Sequence, residues 1–445
     1  MRTLNDLKRK KCNNAIEDLL KKTSSPLEKS EDLDPLINFI GNAKYVLLGE
    51  ASHGTHEYYT WRAKITQRLI QEKGFSFIGV EGDWPDCYRL NRYSKGYIDS
   101  GKDIYNVMNE FKRWPTWMWA NWEIAAFIDW LKSYNKDLSE NKKIGFYGLD
   151  VYSFRESMAS IIQYLEKHDK KALAIAKKAI ECFEPYSKDE GQSYARASAF
   201  VPILCEKEIL DLLIEIRKNV PNYNSDAENV MSIEQNAYIA RNAEKYYRAM
   251  IKRGSTSWNI RDEHMVATIE RLLKYYGTNS KIIVWEHNTH IGDARATDMA
   301  SEGMVNVGQL LKEQYLNEGV ISVGFGSYEG SVIAGRNWGD AMRKIDAPKA
   351  EEGSWEYLFH KASKGQNRLL LMSKLREEKC MEDYIGHRAI GVVYNPEHER
   401  FGNYVPTILP KRYDAFIYID KTTALHPIHT QVDKKQFPET YPFGI

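Results

Sequence analysis

Lys44-Tyr-Val-Leu-Leu-Gly-Glu50 is the stretch that decides the fold, because it is the first of four short apolar runs that each end at an ionisable residue. The other three are Phe75-Ser-Phe-Ile-Gly-Val-Glu81, Lys143-Ile-Gly-Phe-Tyr-Gly-Leu-Asp150 and Lys281-Ile-Ile-Val-Trp-Glu-His287. Continuous apolar runs of this length are typical of strands that are buried on both faces of a parallel sheet. In such a sheet the ligand cleft lies beyond the carboxyl ends of the strands. The four runs therefore predict a cleft that gathers three carboxylates and a histidine.

Helical patterns flank and separate these runs. They cover residues 4–40, 56–73, 103–135 and, almost without interruption, 155–276. Further strand patterns come later in the chain, at Val320–Phe325, Arg368–Met372, Ala389–Tyr394 and Ala415–Ile419. The sequence therefore predicts an α/β fold with a largely parallel sheet, flanked by helices and interrupted by a helical insertion or cap domain.

The length of 445 residues allows one large elaborated domain or a few smaller ones. We expect residues 1–154 to form the first part of the α/β core together with N-terminal helices. Residues 155–276 are predicted to form the helical insertion, and residues 277–445 the second part of the core.

Composition narrows the classes of partner. Lys plus Arg number 62 against 61 for Asp plus Glu, so no excess of charge points to nucleic acid or to an anionic membrane. The five cysteines are scattered and never form a CxxC pair, which argues against structural disulfides and a thiolate metal site. The segment from Met1 to Cys12 is polar and basic, unlike a secretory signal. These features predict a cytoplasmic protein, and they carry no signal for an oligomeric state.

Glu50 and His53 are the first candidates for catalysis. Ser52-His53-Gly54 is predicted to be a tight turn between a strand and a helix, where a histidine faces the cleft and Gly54 allows close approach. Glu50 lies three residues earlier, within reach of a ring nitrogen, and could fix the tautomer of His53. The alternative is that His53 only caps the turn, but the carboxylates clustered around it favour a role as a general base. His56, in the first turn of the helix, could as easily face solvent.

Other polar residues are expected around the same cleft. Arg62 lies near the apolar stripe of its helix and is predicted to point inward. Glu81 ends a strand and remains free for the site, because Asp83 is the better candidate to cap a helix that starts at Trp84-Pro85. Asp150 has a weaker case, since the residues after it could form a plain turn.

His287 and His290 are three residues apart, so both could face one site, and His53 and His56 share this spacing. Two such pairs beside carboxylates could form a metal centre, but the HExxH pattern is absent, and we predict no bound metal and no cofactor. No G-x-S-x-G motif occurs, which disfavours a serine nucleophile of the common α/β type. Cys87 has no partner in the sequence that would activate it and is interpreted as helix packing.

Tryptophans are concentrated before the third apolar run. Trp114, Trp117, Trp119, Trp122 and Trp130 fall within seventeen residues, and Trp84 follows Glu81 closely. Most of them are expected to pack in the core, while one or two could line a wide pocket. Trp84 and Trp117 are our candidates for substrate contact.

Six motifs resemble the erythromycin esterase family, some members of which are labelled succinoglycan biosynthesis proteins. They are Leu48-Gly-Glu-Ala-Ser-His-Gly-Thr-His56, Val80-Glu-Gly-Asp-Trp84, Gly148-Leu-Asp150, Arg261-Asp262, His287-Asn-Thr-His-Ile-Gly-Asp293 and Asn306-Val-Gly-Gln-Leu310. The motifs follow one another in order between about residue 40 and residue 330.

This resemblance implies hydrolysis of an ester or macrolactone by activated water, without a required metal or a covalent serine intermediate. His53 would be the general base and Glu50 its partner, with Arg62, Glu81, His287 and His290 around the reacting ester. Arg261 and Asp150 would contact the substrate. A link to macrolide antibiotics is implied by the family alone. Two alternatives stay open: a metal-dependent hydrolase that uses the same side chains as ligands, and a non-enzymatic protein that binds a hydrophobic ligand or haem.

Overall fold

The computed structural model describes residues 4–98, 100–189, 192–200, 204–223, 226–251 and 254–429. Its strands are β1 (Ser25–Pro26), β2 (Tyr45–Leu48), β3 (Phe77–Val80), β4 (Gly145–Gly148), β5 (Ile282–Trp285), β6 (Val320–Ala334), β7 (Arg343–Ala347), β8 (Arg368–Leu371), β9 (Ile385–Arg388), β10 (Tyr404–Thr407) and β11 (Ala415–Lys421). Its helices are α1 (Leu4–Thr23), α2 (Asp34–Ile40), α3 (His56–Lys73), α4 (Trp84–Ser94), α5 (Ile104–Met108), α6 (Trp122–Asn135), α7 (Phe154–His168), α8 (Lys170–Phe183), α9 (Gln192–Ser198), α10 (Glu206–Asn219), α11 (Ala227–Met250), α12 (Thr256–Tyr276), α13 (Asn288–Ile291), α14 (Val307–Tyr315), α15 (Trp355–Ser363), α16 (Glu399–Gly402) and α17 (Leu409–Arg412).

The four apolar runs form neighbouring parallel strands of the main sheet. Its order is β4-β3-β5-β2-β6-β11-β8-β1, and β7 pairs with the far half of β6. The six strands from β4 to β11 are parallel, β8 runs antiparallel to them, and β1 pairs antiparallel with β8, as β7 does with β6. Trp285 is level with both Leu48 and Val80, and Val80 is level with Gly148. Because these strands end at the same height, the residues that follow them meet at one edge.

Helices cover both faces of this sheet, which explains the uninterrupted apolar runs. Val46 and Leu48 of β2 pack on the face that carries α3 and α6. Tyr45 and Leu47, which alternate with them, pack on the opposite face with α12 and α14. The predicted fold class, a largely parallel sheet flanked by helices, is confirmed.

Helices α7 to α12 lie between β4 and β5 in the chain, where the sequence predicted a helical stretch. Helices α7 to α11 share a hydrophobic core to which Ile260 of α12 also contributes, whereas Met265 and Ile269 of α12 belong to the core on the sheet with Val284. In the described ranges no helix has the length and apolarity that crossing a membrane requires.

A disulfide joins Cys182 of α8 to Cys205, the residue before α10. The expectation that structural disulfides are absent was therefore wrong. Cysteines 23 residues apart in the sequence carry no local signal, because two packed helices bring them together. The prediction of a cytoplasmic protein therefore loses the support that it took from the cysteines.

One predicted strand is also wrong. Residues 389–394 have the composition of a buried strand, but they form only two isolated bridges, at Ile390 with Ser52 and at Val393 with Gly335. They cross the carboxyl edge of the main sheet instead of entering it, and Ile390 and Tyr394 pack on Val332 and Ala334. The regular strand nearby is β9, which pairs antiparallel with β10 in a separate sheet.

Candidate active site

Glu50 and His53 form a buried pair in the turn between β2 and α3. The Nδ1 atom of His53 lies 2.9 Å from Oε1 of Glu50, and the side chains are 6% and 1% exposed. The carbonyl oxygen of His53 accepts a hydrogen bond from the Tyr59 hydroxyl at 3.1 Å. With Nδ1 held by the carboxylate, Nε2 is the ring atom left for a water or a substrate. The spacing predicted from the sequence thus produces an oriented histidine.

Arg62 points inward, as expected, but it contacts Glu50 and does not line the cavity. Its Nη2 atom donates to Oε2 of Glu50 at 2.5 Å, and the side chain is fully buried. The guanidinium also lies 4.3 Å from the centre of the Tyr59 ring and 5.0 Å from that of Trp285. Arg62 therefore fixes the carboxylate that fixes His53, a positioning contact behind the site.

Gly54 is required by close approach of the backbone. A Cβ atom there would lie 1.9 Å from the carbonyl oxygen of Ile333, and the backbone N–H of Ile333 donates to the carbonyl of Gly54 at 3.0 Å. Any larger residue would push the turn away from β6 and move His53 with it.

Arg261 of α12 joins the ends of β3 and β4. Its Nε and Nη2 atoms donate to the two carboxylate oxygens of Asp150 at 3.0 and 2.7 Å, and Nη2 also donates to Oε1 of Glu81 at 2.7 Å. Burial acts against the charged form of Glu81, but His290, Arg261 and His53 outweigh it and hold its pKa well below the ordinary value. The other oxygen of Glu81 accepts from the backbone N–H of His287 at 2.7 Å. Glu81 is thus an ionised carboxylate that ties three chain segments together.

His287 is a neutral hydrogen-bond donor beside His53. Its Nδ1 atom accepts from the backbone N–H of Thr289 at 3.3 Å and thereby caps α13. Because Nδ1 is an acceptor, the neutral ring carries its hydrogen on Nε2, which is buried and lies beside the backbone of Ala51. Burial and the neighbouring His53 lower the pKa of His287 well below its usual range. The ring centres of His287 and His53 are 5.0 Å apart.

His290 is charged, unlike His287. Its Nδ1 atom lies 2.9 and 3.1 Å from the two oxygens of Asp262, and its ring stacks on Trp258 with centres 4.5 Å apart. Burial opposes the charge, but Asp262 and Glu81 overcome it and raise the pKa of His290 to about 10. The Nε2 atom is 3.4 Å from Glu81 and 3.0 Å from Nη1 of Arg261. Arginine can only donate, so Nη1 of Arg261 bonds Nε2 in the neutral ring, whereas in the imidazolium the Nε2–H faces Glu81.

Asp262 and Glu286 are the buried acids for which sequence reasoning assigned no role. Asp262 follows Arg261 directly, and it also accepts from the backbone N–H of Val307 at 3.0 Å. The one signal for it was its position in the Arg261-Asp262 motif. Glu286 has no hydrogen-bond partner for either oxygen within the described residues, and burial raises its pKa well above the usual value. Burial therefore favours the neutral form of the Glu286 carboxyl.

A cavity of about 100 Å³ lies in front of His53, Glu81, Asp150 and Arg261. Five aromatic side chains form part of its wall: Phe111, Trp114, Trp119, Tyr152 and Trp338. Trp119 is tied to the site through its Nε1 atom, which donates to the carbonyl of Glu81 at 2.9 Å. The tryptophan-rich stretch does line the site, but through other members than the two that were expected.

Trp84 and Trp117 do not line this cavity. Trp84 is buried between Tyr88 and Tyr147, with ring centres 6.0 and 5.3 Å away, and donates from Nε1 to Ser232. Trp117 is fully buried and meets Trp114 edge-on at 5.5 Å. The alternative interpretation of these two side chains, core packing, is the one that their surroundings support.

Three further expectations concern the rim of the site. Asp83 does precede α4, but its carboxylate binds Arg113 at 2.7 and 2.9 Å and makes no cap hydrogen bond. Cys87 is buried in α4 beside the cavity, and burial raises the pKa of its thiol well above the usual value, so it is no ready nucleophile. His56 binds Glu123, away from the partner of His53.

Fold and site together define a parallel α/β protein with a buried histidine–carboxylate cluster at the carboxyl ends of its central strands. The family model described as Erythromycin esterase matches residues 70–422, and the chain belongs to that family. The family resemblance drawn from the sequence motifs is confirmed. Glu50, His53 and Arg62 lie before the matched range, so their roles rest on geometry.

Individual relatives are distant in sequence. Erythromycin esterase type II of Escherichia coli is 24% identical over 335 residues, which cover 70% of this chain and 76% of that protein. A Bacillus cereus protein of known structure aligns with a TM-score of 0.75 and 22% identity, covering 94% of this chain and 99% of its own. A succinoglycan biosynthesis protein of known structure aligns with a TM-score of 0.71 and 23% identity, covering 93% of this chain and 98% of its own. The structure of an erythromycin esterase mutant in its open conformation aligns with a TM-score of 0.62 and 17% identity, covering 89% of this chain and 95% of its own.

Proposed function

We propose that this chain hydrolyses a carboxylic ester or lactone with a water that His53 activates. Membership of the erythromycin esterase family supports a hydrolase. The observation that carries the mechanism is the pairing of His53 with Glu50 at 2.9 Å, at the wall of a cavity that Glu81, Asp150 and Arg261 also line.

In this mechanism Nε2 of His53 takes a proton from water, and the water oxygen attacks the ester carbonyl. Glu50 accepts from Nδ1–H of His53 and stabilises the imidazolium that forms, while Arg62 holds Glu50 in place. The guanidinium of Arg261, which lines the cavity, stabilises the oxyanion of the tetrahedral intermediate. The proton on His53 then passes to the leaving alkoxide. Glu81, Arg261 and His290 fix the His287 backbone and supply the local field.

The size and walls of the cavity bear on the substrate. Pockets for drug-sized ligands usually enclose about 300–1,000 Å³, whereas this cavity encloses about 100 Å³. The enclosed part suits the reacting ester and a few neighbouring atoms, so a macrolactone would extend past the aromatic rim or require it to open. A short-chain ester is therefore the first substrate class to test, and a macrolide antibiotic the second.

The test is hydrolysis of a short-chain chromogenic ester by wild type, His53→Ala and the control variant His398→Ala, with and without excess chelator. His398 is an exposed histidine whose ring contacts Asn395, and it does not line the cavity. We expect His53→Ala to lose about 10²–10⁴ in rate, while His398→Ala keeps wild-type turnover. Full turnover by His53→Ala would contradict the proposal. Wild-type activity that disappears in chelator and returns with a divalent ion would favour a metal-dependent hydrolase.

Macrolide turnover is measured separately, by mass spectrometry of the opened lactone. The His53→Ala variant again serves as the control. The tolerance to the antibiotic is then compared between cells that express wild type and cells that express His53→Ala. Turnover of the short-chain ester with an intact macrolide would place this chain among esterases that act on another substrate.

A further inference from the structure

Three side chains that the proposed reaction does not use meet near the start of α3. His56 begins α3, Glu123 lies in the first turn of α6, and His426 lies in the segment after β11. The Nδ1 atoms of the two histidines lie 2.6 and 2.7 Å from the same oxygen, Oε1 of Glu123. One ligand atom from each residue falls within 4.8 Å of the other two. Among the described residues, these are the three histidine, cysteine or acidic side chains whose ligand atoms lie close enough together to hold one metal ion.

The burial of the three residues is graded from inside to outside. The Glu123 side chain is 4% exposed, that of His56 35% and that of His426 62%. The two rings meet edge-on with centres 5.4 Å apart. A buried carboxylate thus forms the base of the cluster, and two rings close it on the solvent side. That leaves an open side on which water molecules could complete a coordination shell.

We propose that His56, Glu123 and His426 bind a divalent transition-metal ion, for which Zn²⁺ is the reference. Two imidazoles and one carboxylate form a donor set that suits zinc, and three protein ligands with a water complete a tetrahedral site. At zinc distances of about 2.0–2.1 Å, neighbouring ligand atoms in a tetrahedron are about 3.3 Å apart. Each present N–O separation must therefore widen by about 0.7 Å, a shift that the exposed ring of His426 can provide.

Binding replaces two hydrogen bonds by three metal bonds. In the metal-free state each Nδ1–H donates to Glu123. When Nδ1 becomes a ligand, each neutral ring carries its hydrogen on Nε2, so no further reactant is needed. The ionised Glu123 supplies a negative charge for the metal ion. Glu57, which follows His56 and binds Thr423, adds a second negative charge nearby.

The ion would join three chain segments that already touch. The backbone N–H of His56 donates to Thr423, and that of Trp122 donates to His426, at 2.9 and 3.0 Å. Isolated bridges link Thr55 with Ala424 and Asn121 with Pro427. A metal ion here would clamp the segment after β11 to the first turns of α3 and α6. The site would be structural, since none of its three ligands lines the cavity in front of His53.

The experiment titrates Zn²⁺ into chelator-stripped full-length protein at pH 8, with calorimetry for affinity and elemental mass spectrometry for stoichiometry. The variants are His426→Ala, Glu123→Gln, His53→Ala and, as the matched surface control, His398→Ala. We expect one ion per chain in wild type, His53→Ala and His398→Ala. In His426→Ala the dissociation constant should rise at least tenfold, since one of three ligands is lost. The mostly exposed side chain of His426 makes this variant safe for folding.

Cobalt gives a second readout that a general loss of stability would not produce. Co²⁺ bound to wild type should show visible absorption bands that His426→Ala lacks. The absence of saturable Zn²⁺ binding in wild type would overturn the inference. So would equal affinity in wild type, His426→Ala and Glu123→Gln. Loss of the ion in His53→Ala alone would assign the metal to the cleft and would also count against this site.

Discussion

Replacing Asp262 by asparagine tests the charged state of His290. Both oxygens of Asp262 lie within 3.1 Å of Nδ1 of His290, and the side chains are 0% and 1% exposed. The asparagine side chain of the Asp262→Asn variant would keep an oxygen for the N–H of Val307 and nearly the same volume, but it removes the charge. The expected result is that His290 loses its proton several pH units earlier than in wild type.

The magnitude follows from the pKa. Asp262 and Glu81 raise the pKa of His290 from 6.5 to about 10 against the effect of burial. At 1.36 kcal/mol for each pKa unit, this corresponds to at most about 5 kcal/mol of folding free energy, because burial also raises the pKa of Asp262 and weakens the charge that it supplies. The sign is that of a raised pKa: the stabilisation is fully present below pH 6.5 and is lost as the pH rises through about 10. The Asp262→Asn variant lacks most of this pH dependence.

The assay is urea unfolding of wild type and Asp262→Asn between pH 6 and pH 10, with Asp346→Asn, an exposed position, as the matched control. The free energy of unfolding of wild type and of Asp346→Asn should fall together over this range, while that of Asp262→Asn starts lower and falls less. An NMR titration of labelled histidine rings then assigns the change. Parallel pH profiles for wild type and Asp262→Asn, or a wild-type His290 that titrates near pH 6.5, would refute the reasoning.

Three shorter predictions follow. The variant Arg62→Lys loses a hydrogen bond to a buried carboxylate, which is worth about 1.5–3 kcal/mol. Ester hydrolysis should show a kcat about 10- to 100-fold lower at unchanged KM, because Arg62 does not line the cavity. A raised KM would contradict this prediction. Burial raises the pKa of Asp86 to about 7, so the stability that its protonated form contributes is lost as the pH rises through about 7. In urea unfolding, the free energy of unfolding of Asp86→Asn should therefore gain about 3 kcal/mol relative to that of wild type between pH 5 and pH 8. A difference between the two proteins that does not change with pH would contradict this prediction. Thiol titration of the unfolded, unreduced protein should find three thiols and five after reduction, since Cys182 and Cys205 are paired; five before reduction would exclude the disulfide.

The sheet was predictable because its signal is local. Each of the four apolar runs is long enough for one strand, and an ionisable residue marks its end. The parallel fold then brings those ends together without any further information. The pairing of Glu50 with His53 was accessible for the same reason, because three residues in one turn span the distance of a hydrogen bond.

Contacts between distant segments could not be predicted from the sequence. Asp262 reaches His290 from a helix 28 residues earlier, and Cys205 reaches Cys182 across two helices. Composition was also a poor guide where a segment runs across a sheet edge. Residues 389–394 look like a buried strand because they are buried, yet their backbone groups bond to the turn after β2 and to Gly335. Trp84 and Trp117 show the same limit, since spacing alone does not tell which tryptophan faces a cavity.

Glu81 connects the opposite protonation states of the two histidines. One of its oxygens accepts from the backbone N–H of His287 and holds that ring where its Nδ1 must cap α13, which keeps the ring neutral. The other oxygen binds Arg261 and lies 3.4 Å from His290, where its charge favours the imidazolium. Loss of this single carboxylate would therefore free the His287 backbone and weaken the charge on His290 together. For that reason His287, which caps α13, and His290, which lies within it, are expected to respond together to a change at Glu81.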